Sequence, residues 1–286
     1  MGSEICIRDS HDTGGEVPTA YIECAQACGL HQLGGGPTPR TAMAADTRGV
    51  GQLVSAALAR GAGRIVVGLG GSATTDGGSG LVEALGGTTQ AAARLRDIDL
   101  VAASDVENPL LGPLGAAAVF GPQKGADDVT VARLEERMTQ WSRVLSSMAG
   151  RDISGDAGAG AAGGLGAALL ALGARRVSGA TLVAEATDLA TDVAAADLVI
   201  TGEGKFDAQT LRGKVVSALH GAAAAAGART VVLAGQVTLP ADEIAAAGIA
   251  SAHAVADIAG SVEVAMNDAA VQLARLAESV AGQWAA

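Results

Sequence analysis

The sequence predicts an α/β protein with mainly parallel sheets, because short continuous apolar runs alternate with segments of helical periodicity. Its 286 residues are 49% hydrophobic and 17% charged, which is enough apolar material for one large or two medium domains. Several of the apolar runs are followed by loops rich in glycine and charged residues. Open α/β sheets bind ligands at the carboxyl ends of their strands, so these loops are the first candidates for a functional site.

Six apolar runs predict strands that are buried on both faces, as in parallel sheets: residues 64–70, 98–104, 116–120, 197–202, 229–235 and 251–257. Between residues 131 and 148 apolar side chains recur at helical spacing, which predicts an amphipathic helix. A last helix is predicted to begin after Ser261, a typical N-cap residue. It is expected to bury one apolar stripe: Val262, Met266, Ala269, Leu273, Leu276 and Val280.

The chain also shows a change in organisation towards its carboxyl end. A new series of strand, polar loop and helix begins near residue 192, without a linker rich in proline or serine before it. We therefore predict two α/β domains, residues 16–190 and residues 191–286, and leave residues 1–15 unassigned.

Charge and composition exclude several classes of function. A net charge of −11 argues against nucleic acid or an anionic membrane as the main partner. No apolar run approaches the roughly 20 residues of a membrane span, and the first ten residues lack the apolar centre of a signal peptide. The cysteines are Cys6, Cys24 and Cys28, an odd number that argues against a disulfide framework and favours a reduced, cytoplasmic protein. We expect Cys24 and Cys28 to share one helix face in the core.

Lysine is rare in this chain, and its three positions are informative. Sixteen arginines stand against only three lysines, Lys124, Lys205 and Lys214, each close to glycine in a polar segment. A lysine ammonium is a compact point charge, whereas an arginine guanidinium is a planar fork, so the two are not interchangeable at a phosphate or carboxylate. Loops that combine glycine, lysine and acidic residues therefore indicate phosphate chemistry. The alternative is that all three are ordinary surface lysines.

The segment RIVVGLGGSATTDGGSGLVEALGG, residues 64–87, gives the strongest local signal. A buried strand runs into a glycine-rich turn and then into a predicted helix, whose first N–H groups are unpaired and attract anions. We predict that this loop binds the anionic groups of a cofactor. The residues expected to do so are Gly70, Gly71, Ser72, Thr74, Gly77 and Gly78. Asp76 is expected either to hold Mg²⁺ or to cap the helix, and a plain strand–helix turn is the alternative for the whole segment. The pattern is not a Walker A loop and fits a dinucleotide fingerprint poorly.

Two further loops carry charged side chains. In residues 104–128, Asp105 follows a predicted strand and Lys124 comes soon after, a combination that suits a polar substrate, although Asp105 could also be a turn residue. In residues 197–214, Glu203, Lys205 and Asp207 crowd the loop between a buried strand and a helix. Such a density of charge at the carboxyl end of a strand favours function. A glycine-rich stretch at residues 155–174 opens onto an alanine- and leucine-rich helix.

These segments together resemble the bacterial type I glycerate kinase family. The resemblance rests on TAYIECAQACGL, VGLGGSATTDGGSGLVEALG, DVENPLLGPLGAAAVFGPQKGA, GAGAAGGLGAALLALGA and DLVITGEGKFDAQTLRGKVV, in that order. It implies two α/β domains, the smaller one flavodoxin-like, with the active site in the inter-domain cleft. It also implies phosphorylation of D-glycerate by ATP and Mg²⁺, with 2-phosphoglycerate as the favoured product. Family members usually begin with a strand and a DSFKGS-type loop followed by a DGGEG-type loop. We find neither here and expect a chain without the usual N-terminal segment.

The resemblance also assigns roles to the polar residues. The predicted catalytic residues are Asp76, Asp105, Lys124, Lys205 and Asp207. Glu203 is predicted to bind the cofactor together with the glycine-rich loop. Asp76 and Asp207 are the predicted metal ligands. The expected partners are D-glycerate and ATP, with no nucleic acid and no membrane, and a homodimer is left open. One alternative is an inactive, truncated homologue that acts as a binding or regulatory protein. The other is a GHMP-type small-molecule kinase, since GLGGSATT is similar to the GLGSSA-type loop of that superfamily, but this interpretation predicts neither GPQKGA nor GEGKFD.

Overall fold

The structure is a computed structural model that describes residues 6–8, 17–187, 189–208, 210–212 and 215–284. The chain divides into two compact units, one up to Gly179 and the other from Ala180. In the described residues, no helix combines the length and the apolar character needed to cross a membrane.

A five-stranded sheet organises the first unit, with the order β1-β2-β3-β4-β5. Its strands are β1 (Cys6–Arg8), β2 (Thr19–Glu23), β3 (Arg64–Gly68), β4 (Asp99–Ala103) and β5 (Arg175–Val177). Its helices are α1 (Cys24–Cys28), α2 (Pro39–Ala44), α3 (Arg48–Ala59), α4 (Ser79–Ala84), α5 (Thr88–Leu95), α6 (Ala116–Phe120), α7 (Asp128–Ala149) and α8 (Ala161–Ala171). Strands β2 to β5 are parallel, and β1 is antiparallel to β2.

The register of this sheet brings three strand ends to one edge. Glu23 of β2 pairs with Gly68 of β3, which pairs with Ala103 of β4. The core below this edge consists of small and branched residues, among them Ile65, Val67 and Leu81, all fully buried or nearly so. The polar loops that follow β2, β3 and β4 therefore start from neighbouring points on a rigid base.

The start of α8 has an unusual backbone. Ala162, Gly163 and Gly164 have φ values of 50°, 67° and 91°, in the left-handed region that is strained for residues with a side chain. At Gly163 a Cβ would lie 1.8 Å from the carbonyl oxygen of Thr74, so only glycine fits. This turn presses directly against the loop that follows β3.

The second unit is built on a three-stranded parallel sheet with the order β10-β8-β6 and a two-stranded ladder, β7-β9. Its strands are β6 (Leu198–Thr201), β7 (Lys205–Phe206), β8 (Arg229–Ala234), β9 (Gln236–Val237) and β10 (Ser251–Ala254). Its helices are α9 (Gly179–Ala186), α10 (Leu189–Ala194), α11 (Val215–Ala226), α12 (Ala241–Ala246), α13 (Val255–Ala259), α14 (Val262–Asn267) and α15 (Ala269–Trp284). Along β8, Val231 and Leu233 pack in one cluster and Val232 and Ala234 in another, so this strand is covered on both faces.

Most predicted strands are present, with one clear error. Strands β3, β4, β6 and β8 lie within their predicted runs, and the run at 251–257 is half strand and half helix. The run at 116–120 is helix α6, not a strand. Its sequence AAAVF is mostly alanine, the best helix former, and five apolar residues carry no strand-specific signal.

The prediction for the last helix is correct for its first residue. It is wrong for some of the side chains that were expected to be buried. Ser261 caps α14 through its side chain, which accepts a hydrogen bond from the N–H of Val264. The helix then ends at Asn267, and α15 starts as a separate helix at Ala269. As a result Leu276 and Val280 are buried as predicted, but Val262, Met266, Ala269 and Leu273 are exposed.

Along the chain, the first unit ends at Gly179, which is earlier than the predicted domain boundary at residue 190. Leu189 and Val193 of α10 pack with Val199 of β6 and with Ala223 of α11, and therefore belong to the second unit. The predicted ranges 16–190 and 191–286 stay a prediction.

Candidate active site

Acidic side chains flank the end of β3 in the first unit. The carboxylate of Glu23 lies over Gly68, where a Cβ would come within 2.5 Å of its Oε2 atom. Asp105 follows β4 and is exposed, next to the buried Ser104. Gly70 and Gly71, just after β3, are also exposed. Neighbouring strands are about 4.8 Å apart. The exposed backbone of Gly70 and Gly71 therefore follows the strand that lies between the strands carrying the carboxylates of Glu23 and Asp105.

The rest of the glycine loop faces inward. Ser72, Thr74, Asp76, Gly77 and Gly78 are all buried. Of the predicted cofactor-binding residues in this loop, only Gly70 and Gly71 are therefore open to a ligand.

The N–H groups of the inward-facing part are used within the protein. The N–H of Ala73 donates to Cys28 O, that of Gly77 to Gly163 O and that of Ser79 to Asp76 O. These donors are thus not available for the anion site that the sequence predicts at the start of α4.

Asp76 caps α4, the second of the two roles predicted for it. Its Oδ2 accepts hydrogen bonds from the N–H of Thr47 at 2.9 Å, the hydroxyl of Thr47 at 2.8 Å and the N–H of Gly80 at 3.0 Å. Its Oδ1 accepts from the N–H of Gly78 at 3.1 Å. Four donors occupy a buried carboxylate, so this geometry does not support the predicted metal and catalytic roles of Asp76.

Lys124 lies under the same loop, at the end of a short turn, Pro122–Lys124, that follows α6. It is only 2% exposed. Its Nζ donates to the carbonyl oxygen of Thr74 at 2.6 Å and to Ser72 Oγ at 3.1 Å. The ammonium group therefore holds the loop from inside the protein and does not face an open site.

Burial changes the acid–base chemistry of this lysine. Loss of water lowers the pKa of Lys124 from 10.5 to about 8, against the opposing influence of nearby Cys24, Cys28 and Asp76. The hydrogen bond between the two thiols raises the pKa of Cys24, which burial raises further. The same hydrogen bond lowers the pKa of Cys28. Both cysteines are buried on α1, as predicted, and neither forms a disulfide.

Thr47 and Arg137 also fix this loop, and sequence reasoning missed both. Thr47 connects Asp76 to α4 by donating to the carboxylate and accepting from the N–H of Leu81. Arg137 on α7 donates to the carbonyl oxygens of Met43 and Thr75. Arg137 sits on an amphipathic helix where an arginine looks like any solvated charge, so no sequence signal identified it.

The second charged loop, residues 202–208 of the second unit, follows β6. The hydroxyl of Thr210 donates to the Glu203 carboxylate, and the N–H of Asp207 donates to Thr210 Oγ1 at 3.3 Å. Lys205 Nζ lies 3.7 Å from Asp207 Oδ2, and the lysine side chain is 55% exposed. The loop thus presents an ammonium and two carboxylates at the end of a parallel strand. Gln209 and Lys214 lie outside the described residues.

This loop contains the donor types that Mg²⁺ prefers. Mg²⁺ is usually held by one or two carboxylates together with waters and substrate phosphates, not by a cage of protein ligands. Glu203 and Asp207 supply two such groups, and no cluster of three or more metal-binding side chains occurs in the described part of the chain. The carboxylates of this loop fit a Mg²⁺–phosphate complex better than a resident metal.

Fold and loops together define an α/β protein with charged and glycine-rich loops at the carboxyl ends of parallel strands, a class that binds small polar ligands. The sequence model of the Glycerate kinase family matches residues 7–93 and 87–285. The chain belongs to this family. The two matches overlap between β3 and β4, in the region of α5.

Individual relatives agree with this assignment. The chain is 57% identical to uncharacterised proteins of Mycobacterium bovis and Mycobacterium tuberculosis, over 93% of its length and 70% of theirs. It is 38% identical to a glycerate kinase of Bacillus subtilis, over 93% of its length and 76% of the relative. It is 34% identical to a glycerate 2-kinase of Escherichia coli, over 98% of its length and 79% of the relative.

A solved structure is also similar. It is the crystal structure of a protein described as glycerate kinase 2 of Salmonella typhimurium LT2, with a TM-score of 0.67 and 33% identity. The match covers 93% of this chain and 77% of that one. These comparisons confirm the α/β fold class and the family resemblance, and they leave the GHMP-type alternative without support.

Proposed function

We propose that the chain is a glycerate kinase that transfers the γ-phosphoryl group of ATP to D-glycerate. One observation carries this proposal: proteins named glycerate kinase are 34–38% identical to it over 93–98% of its length. The relative from Escherichia coli is a glycerate 2-kinase, which favours the 2-hydroxyl as the acceptor and 2-phosphoglycerate as the product.

Phosphoryl transfer needs aligned reactants and neutralised charge more than covalent help from the protein. In our proposal the strand-end edge of the first unit binds D-glycerate, with the exposed backbone of Gly70 and Gly71 near its polar groups. The hydroxyl oxygen forms a bond to the γ-phosphorus while the bond from that phosphorus to the ADP oxygen breaks. The proton of the hydroxyl goes to the carboxylate of Asp105, which is exposed at this edge.

The loop at residues 202–208 of the second unit is proposed, taken by itself, to bind phosphate groups of ATP. The exposed ammonium of Lys205 attracts phosphate oxygens as a point charge. Glu203 and Asp207 would hold Mg²⁺, which when bound neutralises part of the triphosphate charge. Lys124 keeps a part in the reaction as a positioning residue, because it holds Ser72 and Thr74 and thereby the exposed Gly70–Gly71 turn.

We also propose a cytoplasmic location. The reaction consumes ATP, and Cys24 and Cys28 are free thiols that persist in a reducing compartment.

The test is ADP release by the purified chain with Mg²⁺ and ATP, with and without D-glycerate, followed by ³¹P NMR of the product. We expect release that depends on D-glycerate and a 2-phosphoglycerate signal. A cooperatively folded chain without such release would instead be an inactive homologue with a binding role.

Asp105→Asn tests the proton acceptor. We expect kcat to fall by about 10² to 10⁴, the usual contribution of a general base. Glu107→Gln is the matched control, since Glu107 is an exposed acidic residue on the same loop. Equal kcat values for the two variants would remove Asp105 from the mechanism.

A further inference from the structure

Cys24 and Cys28 are two nucleophilic side chains that the proposed reaction does not use. They are the first and last residues of the short helix α1, and both are buried. Positions four apart face the same side of a helix, with about 5–6 Å between their Cβ atoms. The two thiols are hydrogen bonded to each other. Helix α1 therefore carries a pair of adjacent thiols on one face.

Both ends of α1 are bonded to the glycine loop that follows β3. At the first residue, the Cys24 thiol donates to the carbonyl oxygen of Gly70 at 3.4 Å. At the last residue, the carbonyl oxygen of Cys28 accepts a hydrogen bond from the N–H of Ala73 at 2.8 Å. These two contacts enclose the exposed Gly70–Gly71 turn. The position of that turn therefore depends on the conformation of α1.

Cys28 is the more reactive thiol of the pair. The thiolate is the form of cysteine that reacts with oxidants. The hydrogen bond from Cys24 lowers the pKa of Cys28, and the positive charge of Lys124 acts in the same direction, against the opposing influence of burial. Cys28 is 8% exposed, whereas Cys24 is fully buried. A small oxidant therefore meets Cys28 first.

A disulfide between these two residues requires α1 to change its conformation. Disulfide bonds hold their Cβ atoms about 3.5–4.5 Å apart, so the Cβ atoms of Cys24 and Cys28 must approach each other by roughly 1–2 Å. Helix α1 has only five residues, and a helix this short is held by few backbone hydrogen bonds. The hydrogen bond to Gly70 is also lost, because a disulfide sulfur has no proton to donate. Oxidation therefore removes one contact of the turn and strains the other, at Ala73.

We propose that Cys24 and Cys28 form a site of reversible oxidation by hydroperoxides, and that their disulfide displaces the Gly70–Gly71 turn and lowers the kinase activity. The effect on activity rests on the proposed function, in which this turn lies near the bound D-glycerate. The oxidation of the thiols and the displacement of the turn do not depend on that function.

The oxidation consumes one peroxide for each disulfide. The Cys28 thiolate attacks one oxygen of hydrogen peroxide, and the O–O bond breaks to give a sulfenic acid and hydroxide. This hydroxide takes up the proton that the Cys28 thiol released and becomes water. The sulfur of Cys24 then attacks the sulfenic sulfur, the S–O bond breaks, and the leaving oxygen takes the Cys24 thiol proton to form a second water. The two sulfurs lose two electrons, which the peroxide gains, and thiols readily reduce a strained disulfide of this kind.

The test is to add hydrogen peroxide to the reduced, folded 286-residue chain. Mass spectrometry should show the loss of two hydrogen atoms and locate a disulfide between Cys24 and Cys28. Amide exchange at Ala73, followed by NMR, should become at least tenfold faster, because the hydrogen bond to Cys28 is weakened. The kcat/KM for D-glycerate should fall at least tenfold. Dithiothreitol should reverse all of these changes, which separates them from methionine oxidation, since that requires dedicated reductases.

Three variants locate the site. Cys24→Ala and Cys28→Ala should each abolish the response to peroxide, whereas Cys6→Ala, which removes the third cysteine, should keep it. A thermal melt checks that each variant is folded. The mass and exchange measurements on the unmodified chain decide the question even where a variant does not fold.

The proposal is overturned if the folded chain forms no disulfide between Cys24 and Cys28, or if Cys24→Ala or Cys28→Ala still responds. It is also overturned if the disulfide forms without a change in the exchange of Ala73, or without a change in the kcat/KM of an active chain. A chain that shows no kinase activity even when reduced would contradict the proposed function. The disulfide and the exchange of Ala73 would still test the oxidation site, so the two proposals can fail independently.

Discussion

Replacing Lys124 by methionine separates the structural from the functional role of this residue. Methionine keeps most of the volume but removes the charge and both hydrogen bonds, to Ser72 Oγ and to the carbonyl oxygen of Thr74. A buried carbonyl left without a donor costs about 1–3 kcal/mol. Against this, the variant avoids the burial of an ammonium group, which lowers the pKa of Lys124 to about 8. The two effects have similar size, so the free energy of unfolding at pH 7 should change by less than about 2 kcal/mol.

The pH dependence of the free energy of unfolding provides a second test of the role of Lys124. The pKa of Lys124 is about 8 in the folded protein and 10.5 for an ordinary exposed lysine, so between these values the unfolded chain binds more protons. The free energy of unfolding of the unmodified protein should therefore rise with pH in this window, relative to Lys124→Met. From pH 7 to pH 10 the expected rise is about 2–3 kcal/mol. Urea unfolding at four pH values in this range measures it.

The control is Lys205→Met, since the Lys205 side chain is 55% exposed and takes no part in the hydrogen bonds to Ser72 and Thr74. If the difference between the unmodified protein and Lys124→Met stays flat or falls with pH, Lys124 is not buried as a charged group and the reasoning is wrong. In the kinase assay we expect kcat/KM of Lys124→Met to fall at least tenfold, or about 1.4 kcal/mol. Unchanged kinetics would show that the loop keeps its form without this lysine.

Two further substitutions test the supports of the same loop. Asp76→Asn should lower the free energy of unfolding by about 2–4 kcal/mol, because it removes a helix cap and part of a buried hydrogen-bond network; a loss under about 0.5 kcal/mol in urea would contradict the capping role. Gly163→Ala should lower the urea midpoint more than Gly173→Ala does. Both glycines have positive φ, but only a Cβ at Gly163 meets another atom, the carbonyl oxygen of Thr74. Equal midpoints would mean that the contact between the two segments yields easily.

The sequence predicts the buried strands well because their signal is local. The runs at β3, β4 and β8 have continuous apolar centres, as central parallel strands require. The exposed strand β5, with the sequence RRV, lacks that signal, and the apolar pattern does not predict it. The strand prediction for AAAVF is wrong because alanine favours a helix. A run of only five apolar residues does not distinguish a strand from a helix.

The sequence predicts which residues lie in the candidate site, but it does not predict which way their side chains point. The sequence identifies the segment with Ser72, Asp76 and Lys124, because glycine, hydroxyl and charge occur together there. It could not show that these side chains point inward, since that depends on contacts with residues far away in the chain, such as Thr47 and Arg137. Only the beginning of the loop, at Gly70 and Gly71, remains open to a ligand. The roles of Asp105, Lys205 and Asp207 stay predictions.

The left-handed turn at Gly163 has a consequence for synthesis of the protein. Thr74 donates to Ala162, 88 residues further along the chain, and Gly77 donates to Gly163. A ribosome adds about 5–20 residues per second, so roughly 4–18 s pass between synthesis of the loop and synthesis of its partner. During that interval the segment from Gly70 to Gly78 lacks its contacts with Ala162 and Gly163, although Cys28 and Thr47 are already present. A nascent chain that stops before this turn has a glycine loop without these two contacts, and such a fragment is a natural target for chaperones and proteases.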